Sequence, residues 1–289
     1  MKNRNLNILI TGGGSGIGAA LAGDLSAYGN SVIICGRKEK NLKNVAGKGK
    51  NIYYHTCDVS DEKSVIDLLN FVKTKFNHID VIINSAGLFG AIGRFDKTDS
   101  QMWKKTFEIN MFGAYLVTKH FLELLMHSEV KKIINFSGGG AFGAFPNYSA
   151  YAVSKAAVVR FSENIAVELK DLGVQVNCVA PGFVATEIHD ATLQAGEGTA
   201  GEHFKKTKIQ LKEGSVPMEV VVDCVKFLIS SESDGLTGKT ISASFDKWNT
   251  ETFKKSVRQI TDSELYTMRR INLANLDEKD ELRKKLMNL

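Results

Sequence analysis

Residues 6–18 read Leu6-Asn7-Ile8-Leu9-Ile10-Thr11-Gly12-Gly13-Gly14-Ser15-Gly16-Ile17-Gly18. An apolar run of strand length passes into a glycine-rich loop and then into a helical pattern. Glycine allows a tight turn there and lets an anion approach main-chain amides at a helix N-terminus, where the helix dipole favours negative charge. The strand-loop-helix context favours the pyrophosphate of a dinucleotide, with Gly12, Gly14, Ser15, Gly16, Ile17 and Gly18 as its contacts. Alone, the loop also fits a plain turn or a methyltransferase cofactor, and its Gly12, Gly16, Gly18 spacing differs from the common G-x-G-x-x-G.

Outward from this loop, apolar strand-like runs alternate with helical patterns. Strands are predicted near residues 6–10, 31–35, 51–56, 80–84, 131–136, 174–180 and 239–244, and helices over about 16–28, 38–46, 61–76, 100–127, 149–172 and 217–231. Such alternation builds βαβ units with right-handed crossovers. The expected fold is α/β: a single-domain, Rossmann-like, doubly wound parallel sheet of about seven strands, with its ligand crevice at the carboxyl ends of the strands. At 289 residues and 43% hydrophobic the chain can bury a full core, and only three prolines and no linker-like tract interrupt it. Residues 1–246 are read as the catalytic and cofactor-binding domain. Residues 247–289 carry no strand signal and are read as a helical extension packed on that domain or on a neighbouring subunit, with helix starts at Thr261-Asp262 and Asp277.

Composition narrows the function classes. The net charge of +5 is not gathered into a block, so no nucleic-acid partner is expected. No apolar run approaches the roughly 20 residues that span a bilayer, and Met1 is followed almost at once by the first strand, which suggests a cytoplasmic protein with no membrane partner. Cys35, Cys57, Cys178 and Cys224 are widely spaced and read as reduced core residues, with no metal site.

The chemistry is suggested by Tyr151 and Lys155 in AYAVSKAA. Residues i and i+4 share a helix face, so a phenol and an ammonium can enter one cleft. A free phenol titrates near pH ~10, and an adjacent cation is expected to pull that value down, making Tyr151 a general acid or base for a ketone or alcohol. The same spacing also arises in any amphipathic helix with a half-buried ring and a solvated lysine.

With TGGGSGIG, Asp58-Val59, Asn84-Ser85-Ala86-Gly87, Asn110, a serine near the end of the fifth strand, Tyr151-Ala152-Val153-Ser154-Lys155 and Pro181-Gly182 in this order, the chain resembles the short-chain dehydrogenase/reductase family over about residues 6 to 245. The resemblance implies that Asp58 binds adenine and Val59 packs on its ring. It implies that Asn84, Ala86 and Gly87 meet the ribose and nicotinamide, Ser85 standing where the family has a second Asn. It further implies that Asn110 perturbs its helix and holds a water of a proton relay, and that Lys155 bonds the nicotinamide ribose. Pro181, Gly182, Val184 and Thr186 would close over the nicotinamide. Most members form dimers or tetramers through the long helices, so a homodimer or homotetramer is expected, acting on a small-molecule carbonyl or alcohol.

Two positions depart from the pattern. The family's carbonyl-polarising serine lies thirteen residues before the tyrosine, where this chain has Gly138; the nearest hydroxyl is Ser137. Adjacent strand residues face opposite ways, but the glycines after Ser137 could turn it toward the cleft, and Ser137 is kept as a catalytic candidate. At the end of the second strand no carboxylate is present to bind the two ribose hydroxyls of NAD(H). Gly36 is followed there by Arg37 and Lys38, which favours the 2′-phosphate of NADP(H), with NAD(H) possible. The segment from Glu187 to Gly214 takes the place of a substrate loop and is read as a mobile lid, with His189 and His203 solvated. The main reading is an NADPH-dependent oxidoreductase. The alternative is a non-catalytic NADP(H)-binding sensor or assembly protein.

Overall fold

The computed structural model describes residues 5–270. Seven strands form one parallel sheet in the order β3-β2-β1-β4-β5-β6-β7. They are β1 (Asn7–Thr11), β2 (Ser31–Gly36), β3 (Ile52–Thr56), β4 (Val81–Asn84), β5 (Lys132–Phe136), β6 (Gln175–Ala180) and β7 (Lys239–Ser242). The crossover helices are α1 (Gly16–Ala27), α2 (Glu39–Ala46), α3 (Glu62–Lys73), α4 (Ser100–Phe107), α5 (Gly113–Met126), α6 (Ser149–Glu168), α7 (Asp190–Ala200), α8 (Glu202–Glu213) and α9 (Met218–Ile229). Every strand and crossover helix expected from the alternation is present.

Strand composition follows from burial on both faces. In β1, Ile8 and Ile10 join a core shared with α1, α2 and α9, while Leu9 joins a second core shared with α3, α5 and α6. Neighbours repeat the split in register: Val32 and Ile34 with Ile8 and Ile10, Ile33 with Leu9. A strand covered on both sides has no solvent face, which is why these runs are continuously apolar. Among the described residues all four cysteines are buried free thiols.

The sequence predicts one helix over 100–127, but the chain divides it. Between α4 and α5, Glu108–Phe112 forms a wide π-helical turn in which the Gly113 amide donates to the Glu108 carbonyl, five residues back. Such single wide turns occur most often at functional sites.

Beyond β7 the chain covers the end of the sheet. Helices α10 (Glu251–Lys255) and α11 (Val257–Thr261) place Phe253, Val257 and Ile260 in the core shared with α9, and Trp248 stacks on Phe227 with ring centroids 5.8 Å apart. The segment then follows the outer edge of β7, where the Thr240 amide donates to the Tyr266 carbonyl at 2.8 Å and the Lys239 ammonium to the Ser263 carbonyl at 2.5 Å. An edge strand exposes unpaired main-chain groups, and this cover satisfies some of them. The helix start expected at Thr261-Asp262 is instead a helix end, because Thr250 caps a helix earlier in the segment by accepting from the Phe253 amide. The start expected at Asp277 lies outside the described residues.

Phe253 is 6% exposed, so Phe253→Ala should cost about 3–5 kcal/mol of stability. Thermal unfolding of the full chain checks this: a melting temperature within a degree of the parent's would mean that the segment does not dock as described.

Candidate active site

The sheet order reverses at β1, whose chain leaves toward β2 while β4 lies on its other side. A crevice must open at the carboxyl ends of such a pair. The Thr11 hydroxyl ties its two banks together, accepting from the amides of both Ser85 and Ala86 at 3.1 Å. Sequence reading gave Thr11 no task, although it precedes the glycines in the motif. Gly12 has φ +68 and lies so close to Ala86 that a Cβ would sit 2.8 Å from its Cα. A Cβ on Gly18 would lie 2.5 Å from the Gly12 carbonyl oxygen, so the first turn of α1 packs directly on the loop.

The crevice deepens into a cavity of about 570 Å³, within the size range of small-molecule and cofactor sites. Gly12, Gly14, Ser15, Gly16, Ile17 and Gly18 line one part of it, and Arg37, Lys38, Asp58, Val59, Ala86, Gly87, Pro181, Val184 and Thr186 line others. Tyr151 and Lys155 line the same cavity. It also has walls that sequence reading missed, among them Phe89, Met102, Ile109 and Ile188, of which Phe89 and Ile188 share an apolar cluster with Tyr151; no motif spacing marks such apolar positions. The loop's bare backbone at a helix N-terminus, the basic pair after β2 and Asp58 after β3 suit the phosphates, ribose and base of a nicotinamide dinucleotide.

Four expected site residues are not among those lining the cavity. Asn84 is buried, its side-chain amide donating to Asn135 at 2.9 Å and to Thr118 at 3.2 Å, so it joins β4 to β5 and α5. Gly182, with φ +75, packs against Val216 and Ser244. Asn110 is a brace: its Oδ1 accepts from the Leu88 amide at 2.9 Å, and its Nδ2 donates to the Leu88 carbonyl at 2.9 Å and to Ser154 Oγ at 3.0 Å. It thereby joins the wide turn to the loop after β4 and to α6, one residue from Lys155. Ser137 is 2% exposed and its hydroxyl has no partner. Phe136 before it lines the cavity and receives the Lys155 ammonium on its carbonyl, whereas neither Ser137 nor the glycines after it are among the lining residues.

Asp58 accepts from the Ser60 amide at 3.0 Å and from the Ser60 hydroxyl at 2.5 Å, and Lys105 stands 3.7 Å away. Partial burial pushes its carboxyl up. The Ser60 bonds and the charges of Lys105 and Arg37 outweigh that and hold it below the usual aspartate value. Asp61 takes the N-cap of α3, accepting from the Lys63 amide.

At the catalytic candidates the electrostatics differ from expectation. Tyr151 is 7% exposed and its phenol is pushed above its ordinary value, not below it, because burial disfavours the phenolate. Burial likewise lowers Lys155 to about 8. The ammonium lies 5.7 Å from the centre of the Tyr151 ring and donates to the Phe136 carbonyl at 2.8 Å.

The segment expected to be a mobile lid folds as α7 and α8, which kink at Gly196 and join at Gly201. It packs over Tyr151 through an aromatic cluster. Phe89 meets the Tyr151 ring edge to face at 4.7 Å, and Phe145 and Tyr148 stack at 4.5 Å. The Tyr148 and Thr192 hydroxyls are hydrogen-bonded at 2.9 Å. His189 and His203 are part of this packing, the first buried and the second half-buried. His189 stacks on Phe183 at 3.9 Å and donates through Nε2 to the Val184 carbonyl at 3.0 Å. Burial, with the neighbouring charges of His189 and Lys206, lowers His203 to about 4. Among the described residues no group of three or more His, Cys, Asp or Glu could hold a metal ion, and no helix is long and apolar enough to cross a membrane.

Known proteins share this arrangement. A family model described as short chain dehydrogenase matches residues 6–196. The short chain dehydrogenase pigC of Monascus ruber is 30% identical over 249 residues, covering 83% of this chain and 78% of that protein. The 3-oxoacyl-[acyl-carrier-protein] reductase FabG of Haemophilus influenzae is 30% identical over 237 residues, covering 81% of this chain and 94% of that protein. Among solved structures, levodione reductase superposes with a TM-score of 0.74 at 25% identity, covering 86% of this chain and 98% of its own. Actinorhodin polyketide ketoreductase with NADPH gives 0.73 at 26% identity, covering 82% and 95%.

Proposed function

The chain belongs to the short-chain dehydrogenase/reductase family and is an oxidoreductase, and from that premise we propose that it moves a hydride between NADP(H) and the carbonyl or secondary alcohol of a small molecule, with Tyr151 as general acid and base. The observation that carries this reading is that Tyr151 and Lys155 line the same cavity as the Gly12–Gly18 loop. A bound nicotinamide supplies the hydride. As it adds to the carbonyl carbon, the C=O π pair moves to oxygen, and Tyr151 gives that oxygen its proton. A phenol whose proton is held tightly by burial is protonated at neutral pH and so ready to donate. The apolar surroundings of Phe89 and Ile188 exclude water from the reacting oxygen.

Lys155 holds positive charge beside this proton transfer and, bonded to the Phe136 carbonyl, stays fixed within α6. Asn110 keeps α6 and the loop after β4 in register around it. Arg37 and Lys38 are proposed to bind a 2′-phosphate, since a planar guanidinium can pair with it in two places. Gly12, Gly14, Ser15, Gly16, Ile17 and Gly18 would hold the pyrophosphate, Asp58 and Val59 the adenine, and Ala86, Gly87, Pro181, Val184 and Thr186 the nicotinamide side. We assign the chemistry to residues 1–246 and expect a cytoplasmic homodimer or homotetramer. Association through α5 and α6 is supported by apolar side chains left in solvent, Phe112 at the entry to α5 43% and Val153 in α6 47% exposed.

Tyr151→Phe should fold and bind NADPH yet lose nearly all ketone reduction, read as NADPH absorbance against a panel of aryl, cyclic and 3-oxo-ester ketones; comparable turnover in the variant would remove the phenol from the mechanism. Arg37→Asp should weaken NADPH binding on the order of tenfold to a hundredfold with little effect on NADH, as measured by fluorescence titration, because a charge-assisted hydrogen bond contributes about 1.5–3 kcal/mol. The Lys155 ammonium is complete well below pH 8 and is lost as pH rises through about 8. The reduction rate should therefore decline across that range. A profile level to pH ~10, the ordinary range for a lysine, would show that the charge is not needed.

A further inference from the structure

The missing serine leaves a gap in this mechanism: the proposed donor to the substrate oxygen is Tyr151 alone, and Ser137 does not line the cavity. The chain fills the interval with three consecutive glycines, and the outer two are held to glycine by different neighbours. A Cβ on Gly138 would overlap the Tyr151 hydroxyl. One on Gly139 would lie 3.2 Å from the Phe145 ring. One on Gly140, whose φ is +82, would lie 2.6 Å from the Ala152 Cβ. Bare main chain therefore passes directly against the reacting hydroxyl, so the family's serine could not stand at 138 without displacing the tyrosine.

This strap has Gly138 and Gly140 half-buried and Gly139 exposed. Its turn is closed by the Ala141 amide donating to the Gly138 carbonyl at 3.2 Å, and the Ser137 amide is used by the Val179 carbonyl at 2.8 Å. Among the described residues the amides of Gly138, Gly139 and Gly140 between them have no acceptor. Successive free amides in a turn that ends in a left-handed residue form a concavity suited to negatively charged oxygen.

We propose that the main-chain amides of Gly138–Gly140 donate to the substrate oxygen, taking over the polarising task of the absent side-chain hydroxyl. This rests on the ketone-reduction reading above. Any oxygen that receives the Tyr151 proton lies within hydrogen-bond reach of that hydroxyl, and the strap touches the hydroxyl. As hydride reaches the carbonyl carbon, negative charge grows on the oxygen, and fixed amides stabilise it without having to reorient. Glycine at all three positions keeps those amides accessible and leaves room for the tyrosine.

The test replaces one amide at a time by an ester, using glycolic acid introduced by nonsense suppression at 138, 139 or 140 of the full chain. The probes are 2,2,2-trifluoroacetophenone for turnover and acetophenone bound with NADP⁺ for the infrared carbonyl band. At least one ester should lower kcat on the order of a hundredfold and move the bound carbonyl band to higher frequency, with NADPH affinity by fluorescence unchanged. Gly138→Ser, which restores the family's residue, should lower kcat because its Cβ displaces Tyr151. Rates and band unchanged in all three esters overturn the proposal, and so does a rise in kcat on Gly138→Ser. A hundredfold loss on Ser137→Ala with every ester silent also overturns it, returning the role to that side chain. If Tyr151→Phe is inactive while the esters are silent, only the strap proposal falls. If the wild type reduces neither the probe nor any ketone of the panel, the ketone-reduction reading falls and the strap proposal with it.

Discussion

The chemistry of this chain depends on the opening between β1 and β4. Their carboxyl ends sit side by side, yet the chain leaves β1 toward β2 and leaves β4 toward β5, in opposite directions, so no connection fills the space between those ends. The Thr11 hydroxyl sets the width of that opening through two amides of the β4 bank. Backbone can line such a cleft closely only where side chains are absent, and the glycines at 12 and 18 meet that condition by steric necessity, one against Ala86 and the other against the loop itself.

A second constraint makes the far side of the cleft rigid. Asn110 spends all of its side-chain hydrogen bonds on Leu88 and Ser154, which belong to two different elements. An asparagine within a regular helix competes with the helix's own bonding. Here the wide turn at Glu108–Phe112 resolves that conflict and lets the side chain reach both partners. Lys155 follows Ser154 in α6, so the position of the ammonium depends on this brace.

What could be read from the sequence divides along a physical line. Strands were legible because burial on both faces leaves an unbroken apolar run, as in Ile8-Leu9-Ile10, and the cleft was legible because its motifs stand at strand ends. Properties that depend on what packs against a residue from far along the chain were not. Nothing local to His203 indicates that Phe145 and Tyr148 pack against it, so solvation was the natural expectation and partial burial the outcome. Asn84 matched a cofactor motif by position, but its side chain serves Asn135 and Thr118 in the sheet. The helix start proposed at Thr261 failed for a similar reason, since the packing of Phe253 and Val257 on the α9 core places the helices earlier.

The direction of the Tyr151 shift also separates what the spacing suggests from what the packing imposes. Spacing alone suggested an acidified phenol, because an ammonium one helical turn away stabilises a phenolate. Enclosure by Phe89 and by the lid disfavours that anion more strongly, and the same enclosure weakens the ammonium itself. Under the proposed role, reduction leaves this phenolate behind and oxidation begins from it, so the dry, apolar wall burdens the same anion in both directions. The packing of helices α7 and α8 over the ring therefore keeps the resting phenol protonated and selects neither direction.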